Sequence, residues 1–147
     1  MKKMNDIIDL LHNSGCSCVV ANNKKIRTFN SRGVKDLYDL LNTDAGFLKG
    51  ASVADKVVGK AAASLMILGG IGELYTDLIS TPALRMLKNN GIKTSFGMEV
   101  PVILNRNQSD WCPLEIICHQ GDSPKDFFPS IEKFIKDMTS SKESGTI

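Results

Sequence analysis

Apolar positions along the chain recur at two spacings, and each change of spacing marks a new element. Ile7, Ile8, Leu10 and Leu11 form the apolar face of a first helix, which Asn13-Ser14-Gly15 brings to a stop. The stretches CSCVVAN and KIRTFN are rich in β-branched residues and are joined by the polar Asn22-Asn23-Lys24, the pattern of a hairpin. Cys16 and Cys18 stand two apart on the first of these strands, a spacing that places both thiols on one face. Val34, Leu37, Leu40 and Leu41 then return to helical spacing before Thr43-Asp44-Ala45-Gly46.

The next segment, KGASVADKVVGKAAASLMILGG, reads as a third helix opening at Ser52. Ser52-Val53-Ala54-Asp55 has the form of a capping box, with Ser52 as N-cap and Asp55 at the third helical position. Gly59, Ala62 and Ala63 share a face at steps of three and four, which suits close packing on a sheet and leaves Lys56 and Lys60 in solvent. The Gly59-Lys60 pair does not complete a phosphate loop. The position of the first glycine is Ala54, the residue after the lysine is Ala61 rather than Ser or Thr, and Val57 and Val58 stand where the loop must turn. A third reading is compatible with the capped helix: the amides of Gly50, Ala51 and Ser52, with Lys49 and Lys56 beside them, line an anion site.

GELYTDLIS is a strand, and Pro82 early and Gly91 just past the end delimit the helix PALRMLKNNG. IKTSFG and VPVILN supply further strand material, NRNQSDW is a polar loop, and CPLEIIC starts a short helix with Pro113 in its first turn. A last helix covers Pro124 to Met138, with a bend or late start at Pro129, and the small polar tail TSSKESGTI is left disordered. The order predicts an α/β fold, a three-layer α/β/α sandwich with a mixed central sheet, in one domain over residues 1–138 and a tail over 139–147. The strand–helix–strand unit around Pro82 is a crossover between parallel strands.

Composition narrows the function classes. The chain of 147 residues is 42% hydrophobic and 23% charged with a net charge of +2, which gives no electrostatic footprint for a nucleic-acid polymer. The longest apolar run, AAASLMILGGIG, is too short to span a bilayer, and Asp6 and Asp9 interrupt any signal-peptide core, so a cytoplasmic protein is expected. Four cysteines then read as free thiols. Neither Cys16-x-Cys18 nor Cys112-x5-Cys118-His119 has the paired spacing of a structural zinc site, so no metal and no cofactor is assigned.

Taken together, GASVADKVVGKAAA, LYTDLISTPALRMLKNNGI and the Asn105-Arg106 and Cys112-Pro113-Leu114-Glu115 steps resemble an uncharacterised bacterial family, domain of unknown function eighteen ninety-three, in the cytidine-deaminase-like superfamily. The resemblance implies a mixed sheet flanked by helices. Zinc deaminases open one helix with His-x-Glu and the next with Pro-Cys-x-x-Cys, which together hold the metal and shuttle protons. Here Asp55 falls near the glutamate, Val53 stands at the histidine, and Thr81 and Leu84, or Ser80 and Ala83, stand at the cysteines. The resemblance thus implies a degenerate site that binds a small anionic metabolite or nucleotide without zinc-dependent deamination. Two helix starts, Ser52–Asp55 with Lys56 and Ser80–Thr81, are expected to converge at one end of the sheet.

Arg106 is a candidate bidentate partner for the anion, and Cys112 a candidate N-cap thiol with Glu115 at the third position of the same helix. Two alternatives stay open. One is a metal-independent enzyme using Asp55 as base or Cys112 as nucleophile, although His119, seven residues on, lies about 10 Å along a helix. The other is a structural or partner-binding module, a homodimer by analogy, assembled through the small-residue helix.

Overall fold

β-branched stretches punctuated by Gly, Asn and Pro form strands, and the sheet they build is the middle layer of the expected sandwich. A computed structural model describes the backbone of residues 2–31, 34–104, 108–121 and 123–144, and their side chains outside 2–3 and 139–144. Helix α1 (Lys2–Asn13) ends before Gly15, whose φ of +73° is open to glycine at little cost. Strands β1 (Cys18–Asn22) and β2 (Lys25–Phe29) form the antiparallel hairpin, with Asn23 at φ 56° in its turn. Helices α2 (Lys35–Thr43) and the short α3 (Ala45–Leu48) follow.

The next element corrects the sequence reading. Ser52–Val58 is not the start of a helix but strand β3, and helix α4 runs from Lys60 to Gly69. Val53, Val57 and Val58 favour a pleated surface. Val53 pairs across to Val20 on one side and Leu74 on the other, so neighbouring strands supply the backbone partners that a capping box would have supplied. Strand β4 (Glu73–Ser80), helix α5 (Thr81–Asn89) and strand β5 (Lys93–Val100) form the expected parallel crossover. VPVILN extends β5 only to Val100, and beyond it Leu104 makes an isolated bridge to Trp111. Helix α6 (Pro113–Ile117) is short, and α7 (Pro124–Ser144) contains Pro129 within the helix and continues past Met138.

The sheet order is β2-β1-β3-β4-β5, antiparallel from β2 to β3 and parallel from β3 to β5. One face is covered by α1, where Ile7 and Leu11 pack on Val19, Ala21 and Ala54. The opposite face carries the larger core, built from Val20, Val53 and Leu74 below and Leu65, Met66 and Ile131 above. Cys16 belongs to the α1 side and Cys18 to the larger core, so the two thiols do not share a face. The chain becomes a strand only at Cys18, and the alternation that would pair them starts too late.

In β3 and β4 the alternation shifts by one residue part-way along. Val53 and Leu74 face the larger core, Ala54 and Tyr75 the other, yet Val58 and Ile79 return to the larger core an odd number of positions later. The shift falls near Lys56 and Asp77, and Gly97 of β5 continues it: a Cβ there would come within 2.9 Å of the Asp77 carbonyl oxygen. It turns both strand ends toward the helices that follow them, and leaves Val57 and Met98 exposed.

Helix α4 is buried from Lys60 to Met66 and again at Gly69, with α2, α5 and α7 around it. Its small residues permit this enclosure, so they face the interior of one chain and offer no surface for assembly. Lys60 is likewise inside rather than solvated. Ala63, fully buried, reports on this packing. Ala63→Leu is expected to lower stability by about 1–3 kcal/mol, seen as a lower urea midpoint with an unchanged slope.

Candidate functional site

A helix whose first two turns are buried cannot leave its first amides to water, and α4 has only a one-residue approach from β3. That residue, Gly59, is the N-cap, with extended backbone and no side chain to offer. The missing acceptor comes from elsewhere in the chain: Oε1 of Glu115, on α6, accepts the Lys60 amide at 3.0 Å. Both residues are buried, at 5% and 6% exposure, so this is a carboxylate held at a helix start inside the protein. A Cβ on Gly59 would run into the same carboxylate, and this contact, not a turn, accounts for the glycine. The Lys60 ammonium donates to the carbonyls of Gly121 (2.7 Å) and His119 (3.3 Å) and lies 5.6 Å from the centre of the Phe127 ring. The Gly-Lys pair does stand between strand and helix, as in a phosphate loop, but no loop separates them that could wrap a phosphate.

Val58 and Ile79 are partners in parallel strands, so Gly59-Lys60 and Ser80-Thr81 follow side by side at one end of the sheet. Ser80 is fully buried and caps α5, its Oγ accepting the Ala83 amide at 3.3 Å. Thr81 donates to Oε2 of Glu99 at 2.8 Å and to the Val100 carbonyl at 3.3 Å. The convergence of two helix starts therefore holds for Ser80 and Thr81, with Lys60 in place of Ser52 and Asp55.

The remaining candidates are dispersed. Ser52 opens β3 beside Glu73, to whose Oε1 its hydroxyl donates at 3.2 Å, at the opposite end of the sheet from Ser80. Asp55 lies within β3 between Cys18 and Thr76, and Lys56 beside it is exposed. Burial raises the Asp55 pKa from 3.8 to about 7, against the opposing effect of hydrogen bonds from the Lys56 and Val57 amides and the Cys18 thiol. Burial, then the Asp55 charge, pushes the Cys18 thiol well above the ordinary range. Arg106 lies outside the described residues.

Cys112 is half-buried and stands at the start of α6, but its side chain makes no cap hydrogen bond. Glu115 does not cap α6; it reaches across to α4. The His119 ring packs edge-on against Trp111 at 4.8 Å, and among the described residues no hydrogen bond joins it to Cys112. Cys118 is pushed up to about 11, mainly by burial. Among the described residues no three of His, Cys, Asp and Glu gather as metal ligands.

The sequence reading missed Gly59 and Lys60 as partners of Glu115; Val57-Val58 before a glycine was the available signal for a strand ending there. It also missed a polar cluster under α1, where Asp77 Oδ1 meets both His12 Nε2 and the Tyr75 hydroxyl at 2.7 Å.

Two predictions follow from this geometry. Glu115→Ala orphans a buried amide and should cost about 1–3 kcal/mol. Gly59→Ala should cost a similar order of energy, about 1–3 kcal/mol, but the double variant less than the sum, because the obstacle to the new Cβ has gone; strict additivity in denaturant melts would contradict the contact. For Asp55, between pH 3.8 and about 7 the folded chain holds a proton that the unfolded chain has released. Its stabilising contribution is therefore complete at low pH and lost as pH rises through about 7. Asp55→Asn should gain on the natural chain as pH is raised from about 5 to about 8, by no more than about 1.4 kcal/mol per unit. Parallel stability curves would contradict it.

Comparison with known proteins bears on the family and the fold. The model described as TM1506, domain of unknown function (DUF1893), matches residues 6–135. The crystal structure of a DUF1893 family protein (TM1506) from Thermotoga maritima is similar with a TM-score of 0.83 and 24% identity, over 90% of each chain. Two forms of Acinetobacter baumannii RibD reach TM-scores of only 0.42 and 0.44 at 14% and 15% identity, over 65% and 64% of this chain and 34% and 33% of theirs. No curated protein matches the sequence. With its family match spanning most of its length, the chain belongs to the DUF1893 family, a domain of unknown function.

Proposed function

We propose that the domain binds a small anionic molecule, such as a nucleotide, at the sheet end where α4 and α5 begin, without zinc-dependent deamination chemistry. The observation that carries this reading is the Lys60 amide bonded to the Glu115 carboxylate. An anion already sits at the start of α4, and a ligand phosphate or carboxylate suits the same donor. Ser80 and Thr81 add hydroxyl groups at the neighbouring helix start. The resemblance to deaminases put Val53 and Asp55 at the His-x-Glu start; those residues lie in β3, and the two helix starts that meet at one sheet end are those after Gly59 and Ser80. Glu115 is then the group that a ligand displaces. Four free thiols fit a reducing compartment such as a bacterial cytoplasm.

A second reading, a metal-independent enzyme, is favoured by one observation: burial holds Asp55 near 7, where a carboxyl group exchanges protons at neutral pH. Asp55 lies within β3, away from the two helix starts, so this reading needs a different site. Cys112 gains no comparable support.

Thermal melting with inorganic phosphate, nucleoside monophosphates and simple carboxylates tests the first reading. At a hundredfold excess over Kd a ligand should add about 2.7 kcal/mol. Glu115→Gln should bind the same anion more tightly, and Thr81→Ala less tightly. If no anion shifts either the natural chain or Glu115→Gln, the binding reading fails.

A further inference from the structure

Helix α5 turns two sides to different surroundings. Ala83, Met86 and Leu87 face the larger core. Thr81, Leu84, Arg85, Lys88 and Asn89 recur at steps of three and four and so follow one flank of the helix. With Glu99 they line an open groove of about 250 Å³. Glu99 stands on the α5 side of β5, beside Ile79 of the larger core.

The two ends of this groove differ in chemistry. At the start of α5 the Thr81 hydroxyl donates to Oε2 of Glu99 at 2.8 Å, which leaves Oε1 to accept from a second donor. One to two turns further, about 6 to 10 Å along the helix, stand Arg85 and Lys88. Both are exposed, and among the described residues neither has an ion pair or a hydrogen bond, to Glu99 or to any other group. Leu84 lies between the two ends, and Asn89 adds an amide beside the cations. A ligand that fits brings hydroxyl donors to the first end and a compact body past Leu84. At the second end it brings more negative charge than one carboxylate, because a guanidinium and an ammonium both face it. A phosphate monoester of a sugar has these parts in this order.

We propose that the groove between α5 and β5 binds a phosphorylated sugar, with the phosphate on Arg85 and Lys88 and a sugar hydroxyl on Glu99. Arg85 offers a planar fork of donors to two phosphate oxygens, and Lys88 adds a point charge from the neighbouring turn. Glu99 accepts from the hydroxyl, as an acidic side chain does from a ribose, and repels a ligand with negative charge at both ends. A free sugar phosphate and the sugar-phosphate half of a nucleotide share this chemistry. No group of the protein has to move aside, so the site goes beyond the anion reading above and does not require Glu115 to yield.

Amide NMR spectra of the full chain, titrated with ribose 5-phosphate, adenosine monophosphate, inorganic phosphate and ribose, are the test. Ribose 5-phosphate should shift amides along α5 and around Glu99 and bind about tenfold more tightly than inorganic phosphate, with no response to ribose alone. Arg85→Ala and Lys88→Ala should each weaken it about tenfold. Glu99→Ala should weaken ribose 5-phosphate but not inorganic phosphate, a contrast that the loss of a repelling charge does not produce. The dispersion of each variant's spectrum separates a lost site from a lost fold. Adenosine monophosphate binding in the groove as tightly as ribose 5-phosphate identifies a nucleotide as the source, and weaker binding a free sugar phosphate. Ribose 5-phosphate held no better than inorganic phosphate overturns the proposal, as does binding that neither Arg85→Ala nor Lys88→Ala weakens. Shifts confined to the start of α4 and strengthened by Glu115→Gln overturn it while supporting the anion reading. No response to any of these anions, in the natural chain or in Glu115→Gln, overturns both.

Discussion

Enclosure of α4 is the constraint on which the rest of the structure depends. A helix packed among α2, α5, α7 and the sheet gains its stability from apolar contact, but its first turn is buried and its amides need acceptors inside the protein. Burying an amide without an acceptor would cost as much as several good contacts give. The chain answers with a side chain from far along the sequence: Glu115 meets the Lys60 amide. The Lys60 ammonium in turn holds the His119 and Gly121 carbonyls, so the segment that supplies the acceptor is tied down by the residue that it caps. Each buried charge is met by main-chain dipoles, which lets a lysine and a glutamate sit inside.

Much of the surrounding detail follows from that arrangement. Gly59 has to be small because the carboxylate occupies the place of its Cβ. Helix α6, only five residues long, seats Leu114 in the larger core and holds Glu115 over the start of α4. The shift in strand alternation near Lys56 and Asp77 directs Val58 and Ile79 into the larger core just before their helices start. The same shift exposes Val57 and Met98 on the other face. Internal order at one end of the strands is thus accompanied by apolar exposure along their sides.

The hairpin, the β4–α5–β5 crossover and the three layers were legible because each boundary carried a residue with a local physical reason to be there. Asn23 in the left-handed turn, Ser80 and Pro82 at the start of α5, and Gly91 after it all act within a few residues. The start of β3 was not legible by the same means. Ser52 and Asp55 have capping chemistry, and the local sign against it is weak, the β-branched Val53, Val57 and Val58 before Gly59. What settles the matter is the pair of strands on either side, β1 and β4, which are distant in sequence. The candidate site suffered for the same reason. Glu115 was noted as a cap of its own helix, whereas its partner lies 55 residues away, a pairing that no spacing rule encodes.

The start of α4 shows what an internal acceptor does to a helix start. At the α4 start the Lys60 amide is met by Glu115, so an external anion at that donor competes with the carboxylate and its binding measures the difference between two acceptors. That makes affinity there a property of how readily α6 yields, not of the helix start alone.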